Sequence, residues 1–275
     1  MASSAVSRPN RKFRLTWAPA YARWGVNFRA FLALIFAFML ALPGFASPQA
    51  DGAILIYSGT TGYRHDSIPA GIKAVSAMAA QRGLAVVASE DPTVFSATNL
   101  KRFRAIVLLS CTTDPKKPES EWLVGDHRDA LQQFVRNGGG IVAIHAAADS
   151  HYNWPWYGRM IGGHFARHPP GTPKGRVTVV APSDPAVQGL PRTADRTDEW
   201  YYFEDYDPVS KVLVTLDPTS IGEKDINPNP ISWTRTCPRP DSPGTSSTIR
   251  SSSMIQRLAP VTSTRRTGRE QYVVA

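Results

Sequence analysis

Four short apolar runs, each separated from the next by a stretch of helical or turn character, constrain this chain more than any other feature. They are Ala53-Ile-Leu-Ile-Tyr57, Leu84 to Ala88, Arg104-Ala-Ile-Val-Leu-Leu-Ser110 and Ile141-Val-Ala-Ile144. A strand that is apolar on both faces must be covered on both faces, which is the condition of a parallel sheet wrapped by helices. Between the runs, Pro69 suits the first turn of a helix that reaches Arg82 and is stopped by Gly83. Trp122, Leu123, Leu131, Phe134 and Val135 give residues 119–136 helical spacing, ended by Asn137-Gly-Gly-Gly140. The expectation is one α/β domain over residues 51–236, doubly wound and mainly parallel. Val177–Ala181, Val212–Leu216 and Ile231–Thr234 are further short strand candidates.

The two ends differ from this middle. Residues 1–50 carry six basic and no acidic residues, then an apolar run from Phe31 to Leu42, then Pro43, Gly44 and small residues. That run is about a dozen residues long, short of the ~20 needed to span a bilayer. A basic region, a short apolar core and a small-residue exit predict a signal peptide over 1–50. The expectation is export to the periplasm or outside the cell, with no stable membrane span after cleavage. Residues 237–275 hold seven Ser and five Thr, scattered Pro and Arg, and no hydrophobic period. They read as disorder, or as the abrupt change that a frameshift leaves.

Charge excludes a nucleic-acid partner. The net charge of +9 resides in the ends: of 31 basic and 22 acidic residues, 19 and 20 fall in 51–236. A neutral domain offers no basic field to phosphate. The two cysteines, Cys111 and Cys237, have no metal or disulfide spacing. Cys111 closes an apolar strand and reads as a buried small hydrophobe, not a nucleophile.

All six histidines lie between residues 65 and 168. Parallel sheets place their sites at the carboxyl ends of the strands. His65 follows the first strand in Gly62-Tyr-Arg-His-Asp-Ser67, beside Arg64. His145 ends the fourth in Gly139-Gly-Ile-Val-Ala-Ile-His-Ala-Ala-Ala-Asp149. A strand running straight into small residues and a helix is the geometry of a nucleophile elbow, which presents one side chain over free amide groups. Histidine there serves as a base or as a metal ligand. His164 and His168 stand four apart and, with His145, are candidate ligands for a divalent metal, although no zinc motif of local spacing is present. Asp198-Glu-Trp-Tyr-Tyr-Phe-Glu204 supplies carboxylates and aromatic rings together. With Trp154, Trp156, Tyr157 and Tyr152 it suits a small carbohydrate, whose apolar ring faces stack on aromatics while its hydroxyls meet carboxylates or histidine. The candidate catalytic residues are therefore His145, Glu199 and Asp198. The candidate substrate-binding residues are Arg64, His65, Asp149, Trp154, Tyr157, His164, His168 and Tyr201.

These segments, with Gly162-Gly-His-Phe165, His168-Pro169 and Pro230-Ile-Ser-Trp233, occur in the order found in ThuA-like (trehalose utilisation) proteins. The resemblance covers about residues 53–235. It implies a flavodoxin-like fold of the class I glutamine amidotransferase type, and an association with disaccharides or their keto derivatives. The amidotransferases carry cysteine at the elbow, where this chain has His145, so glutaminase activity is not carried over. The expectation is a carbohydrate-active hydrolase or lyase. A non-catalytic exported sugar-binding module and an inactive truncated product are the alternatives. The chain departs from the family pattern at Asn229, where histidine is usual. After Arg235 it also lacks the usual closing strand, glycine-histidine turn and helix. Without that closing element, apolar surface at Ile231 and Trp233 is expected to stay exposed.

Overall fold

The computed structural model describes residues 52–238 and 246–252, the latter as backbone only. The segment read as a signal peptide, the side chain of Cys237 and residues 253–275 lie outside the described residues. No helix among the described residues is long and apolar enough to cross a membrane.

The apolar runs become strands β1 (Ala53–Tyr57), β2 (Val86–Ser89), β3 (Phe103–Leu109) and β4 (Gly140–Ile144). They pair in parallel in the order β2-β1-β3-β4. Alternation along each strand divides its side chains between two cores. Leu55, Tyr57, Ile106, Leu108, Ile141 and Ala143 join one core. Ile54, Ile56, Val107, Leu109, Val142 and Ile144 join the other. Helix α1 (Ile68–Ala80) covers the second core with Val75 and Ala79. On the first lie α2 (Ala97–Leu100), α3 (Asp126–Arg136) and α4 (Pro155–Ile161). This is the double winding that unbroken apolar strands require, and the fold is flavodoxin-like.

Helix α3 is shorter than the spacing predicts. Gly125 has φ of +52°, which no continuous helix accommodates, and only a short turn at Pro118–Ser120 precedes it. The unwound stretch is pinned by Glu121, which is buried, pairs with the Arg128 guanidinium and accepts the Asn153 backbone N–H at 2.8 Å.

Beyond β4 the chain forms β5 (His164–Arg167), β6 (Lys174–Val179), β7 (Thr193–Thr197), β8 (Tyr202–Glu204), β9 (Lys211–Asp217) and β10 (Asn229–Pro238). Strands β10-β9-β6-β7 extend the main sheet in antiparallel fashion over a third core that includes Trp200 and Ile231. Strands β5 and β8 make a separate two-stranded ribbon.

Two expectations for the carboxyl end are corrected. Residues 246–252, assigned by composition to a structureless tail, form a strand, β11, parallel to β4 and antiparallel to β10. Backbone pairing needs no apolar side chains, so a Ser-rich segment can fill a gap between two strands. Ile231 and Trp233 are buried, not exposed. The Trp233 indole donates to the Ile161 carbonyl at 2.9 Å and packs edge-on against Phe203 and Tyr206.

Candidate active site

The carboxyl ends of β1, β3 and β4 open onto one edge of the sheet, and three histidines meet there. His145 leaves β4 with φ of +52°, one of four non-glycine residues in the left-handed region among the described residues. That conformation costs an L residue about 1–2 kcal/mol, and the buried Ala146, Ala147 and Ala148 wedge the turn beneath it. The elbow read from the sequence is present. His65 comes from the loop after β1. Backbone N–H groups of Thr61 and Gly62 donate to the Thr112 carbonyl at 3.0 and 3.3 Å, and the Thr112 hydroxyl donates to the Tyr63 carbonyl at 2.6 Å. A side chain at Gly62 would press its Cβ to 2.7 Å from the Thr113 carbonyl oxygen, so glycine is needed for this close approach.

Glu199 lies between β7 and β8, fixed by its neighbours. Trp200 is buried with its indole donating to the Pro173 carbonyl at 2.7 Å, and the Tyr201 carbonyl accepts from the Asn229 side-chain amide at 2.9 Å. The Asp198 carboxylate accepts the Glu199 backbone N–H at 2.9 Å. Asn229, where the sequence departs from the family pattern, thus holds the segment that carries Glu199.

Three imidazoles converge on this carboxylate. His145 Nε2 lies 3.1 Å and His65 Nε2 3.6 Å from Oε2, and His168 Nε2 lies 3.3 Å from Oε1. His168 Nδ1 is 2.8 Å from the Pro169 carbonyl, to which it can only donate. The hydrogen bond from His145, with the nearby histidine charges, holds the Glu199 pKa down at about 2. Burial, aided by neighbouring His145, lowers that of His65. Burial raises the pKa of Asp149 and Asp198. Asp149 accepts the Tyr152 hydroxyl at 2.6 Å. Carboxylates close together are thereby pushed apart in acidity, as acid–base sites require.

The candidate residues divide. His65, His145, His168 and Glu199 form the cluster, with Asp149 and Asp198 behind it. Tyr201 is buried beneath, its ring 4.3 Å from His145 and 4.2 Å from Phe165, with its hydroxyl 3.5 Å from His65 Nε2. It positions imidazoles and has no free face for a sugar. Arg64 is at the exposed rim and pairs with Glu90 at 2.7 Å. The burial of Tyr201 corrects its assignment to substrate binding, and three more assignments are corrected. Trp154 is core, stacked on Trp156 and covered by the Arg128 guanidinium. Tyr157 is fully buried, donating to the Ala147 carbonyl at 2.8 Å. His164 is buried against Gly158 and stacked on Tyr152 at 4.9 Å, away from the cluster. It is not a co-ligand of His145 and His168. The sequence reading missed Tyr63, which is 71% exposed and stands edge-on to His65 with ring centres 4.8 Å apart. Its place two residues before His65 was the available signal.

A histidine–carboxylate cluster on the carboxyl edge of a doubly wound α/β sheet, built around an elbow that carries no thiol, defines a class of protein apart from the thiol amidotransferases. The family model for trehalose utilisation, ThuA, matches residues 53–246, and the chain belongs to that family. Among solved structures it is similar to a ThuA-like protein from Bacteroides uniformis ATCC 8492, at 24% identity and a TM-score of 0.55, covering 70% of this chain and 80% of that one. A ThuA-like protein from Parabacteroides merdae ATCC 43184 is also similar, at 17% identity and a TM-score of 0.55, covering 73% and 78%. At these identities the likeness shows the fold. No curated protein matches the sequence.

Proposed function

We propose that this exported ThuA-family protein acts on a small carbohydrate, a disaccharide or a keto derivative of one, as a hydrolase or lyase at the His145–Glu199 edge. The observation that carries the reading is the convergence of His65, His145 and His168 on Glu199 beside the exposed ring of Tyr63. Tyr63 supplies the apolar face on which a sugar ring stacks, and the imidazoles and carboxylates meet its hydroxyls. The family's description as trehalose utilisation agrees with this substrate class. The strained elbow favours turnover over passive binding, since backbone strain concentrates where chemistry is done.

The test is a screen of disaccharides and 3-keto-glycosides against the purified full chain, with product read as released monosaccharide and binding read by calorimetry. Turnover is expected to vanish in His145→Ala, and affinity to weaken about five- to tenfold in Tyr63→Ala, from the loss of one stacking face of about 1–1.5 kcal/mol. Binding without product favours the sugar-binding module. Neither binding nor product from any of these sugars overturns the proposal.

A further inference from the structure

His65, His145 and Glu199 each offer one donor atom, and these atoms all lie within 4.8 Å of one another. His145 Nε2 and His65 Nε2 stand 3.1 and 3.6 Å from the same carboxylate oxygen, Oε2. An ion bound at ~2.0–2.1 Å in tetrahedral geometry keeps its ligands about 3.3 Å apart. The observed separations straddle that value. We propose that these three side chains form a binding site for one divalent transition-metal ion, with a coordination position left open to substrate.

The donor set selects the ion. Two imidazole nitrogens and one carboxylate oxygen suit Zn2+, Co2+, Ni2+, Fe2+ or Mn2+, whereas Mg2+ and Ca2+ want oxygen ligands. The ligands come from three separately anchored segments: the elbow after β4, the loop tied to Thr112, and the residue between the buried Trp200 and Tyr201. A site so built is held before the ion arrives. Nδ1 of both His65 and His145 is buried without a hydrogen-bond partner among the described residues, leaving Nε2 as the nitrogen turned to the carboxylate. His168 at 3.3 Å from Oε1 steadies the carboxylate from outside, as partners of metal ligands do. The ligand side chains are 12%, 12% and 26% exposed, which leaves access from one side. An ion there would polarise a carbonyl or hydroxyl oxygen of the sugar.

The inference rests on reading this edge as the functional site, and its test separates the two. The chelator-stripped full chain is titrated with Zn2+ by calorimetry and with Co2+ by visible absorption, with no sugar present. Sugar binding is measured separately in chelator. Saturation at one equivalent is expected, with Zn2+ bound at least about 100-fold more tightly than Mg2+ or Ca2+. His145→Ala and Glu199→Gln should each weaken Zn2+ by more than about 100-fold, and His168→Ala by about 10–100-fold, the range for outer partners. His127→Ala should leave it unchanged. Equal Zn2+ affinity in wild type and His145→Ala overturns the site. Where a variant fails to fold, the wild-type Co2+ titration decides: a visible band saturating at one equivalent supports the site, and its absence overturns it.

Discussion

The left-handed backbone at His145 makes a prediction whose sign is opposite to the usual one. His145→Ala and His145→Gly delete the same imidazole. Both lose the 3.1 Å contact to Glu199 and the ring contacts to His65 and Tyr201 at 4.7 and 4.3 Å. Those losses cancel when the two variants are compared with each other. What remains is the backbone. At an ordinary position alanine is more stable than glycine by roughly 0.5–1 kcal/mol, through the entropy of the unfolded chain. At φ of +52° alanine keeps a Cβ that costs about 1–2 kcal/mol, and glycine has none. The Gly variant should therefore be the more stable by about 1 kcal/mol, or about 2–4 °C in melting temperature for a domain of this size. Urea unfolding followed by tryptophan fluorescence, with the two variants side by side, measures the difference. Ala147 lies outside the left-handed region, so Ala147→Gly should destabilise and serves as the control. An Ala variant at 145 equal to or more stable than the Gly variant would refute the strained elbow, and with it the argument that strain is kept there for chemistry.

The other predictions concern the thiol and the carboxyl end. Burial pushes the Cys111 thiol up to about 12, so almost no thiolate is present at neutral pH. Peptide mapping should find Cys111 unlabelled by a thiol reagent in the native protein and labelled in urea, and Cys111→Ser should leave sugar or metal affinity within a few-fold. Truncation after Pro238 removes β11, which pairs with four residues of β4 and seven of β10. At ~0.5–1.5 kcal/mol net per hydrogen bond the loss is several kcal/mol, and a calorimetric melt unchanged by the truncation would show that β11 contributes nothing.

The parallel half of the sheet was legible because its strands are apolar on both faces, so that β1, β3 and β4 could be little else. The antiparallel half was less so. Strand β7, Thr-Ala-Asp-Arg-Thr, is an exposed-to-intermediate edge with no apolar stripe, and β5 and β8 are ribbons of four and three residues. Strand β11 is held by its backbone, which leaves no side-chain signature. In the site, His145 and His65 were legible from their places after strands. The spacing of His164 and His168 misled for a physical reason. Residues four apart share a face in a helix, but this segment is the irregular strand β5, with His164 at its start and His168 just past its end, and His168 is the one that reaches Glu199. Trp154 and Tyr157 misled differently. Aromatic richness marks a packed core as readily as a sugar-binding face, and only burial separates them.

Position 145 also limits the chemistry open to this fold. The elbow aims one side chain at Glu199, and the turn beneath it is filled by three buried alanines, so the backbone there is fixed whichever residue occupies it. A cysteine at that point would be a nucleophile able to form an acyl intermediate. An imidazole aimed at a carboxylate 3.1 Å away can instead move a proton or donate a nitrogen lone pair to a cation. The described cysteine, Cys111, lies just beyond the end of β3, buried in the core, and does not replace the missing thiol. Among the described residues, glutamine hydrolysis through a thioester therefore has no cysteine nucleophile at this edge. The same strained turn is left to serve acid–base or Lewis-acid chemistry on oxygen, the chemistry that the proposed carbohydrate substrate would call for.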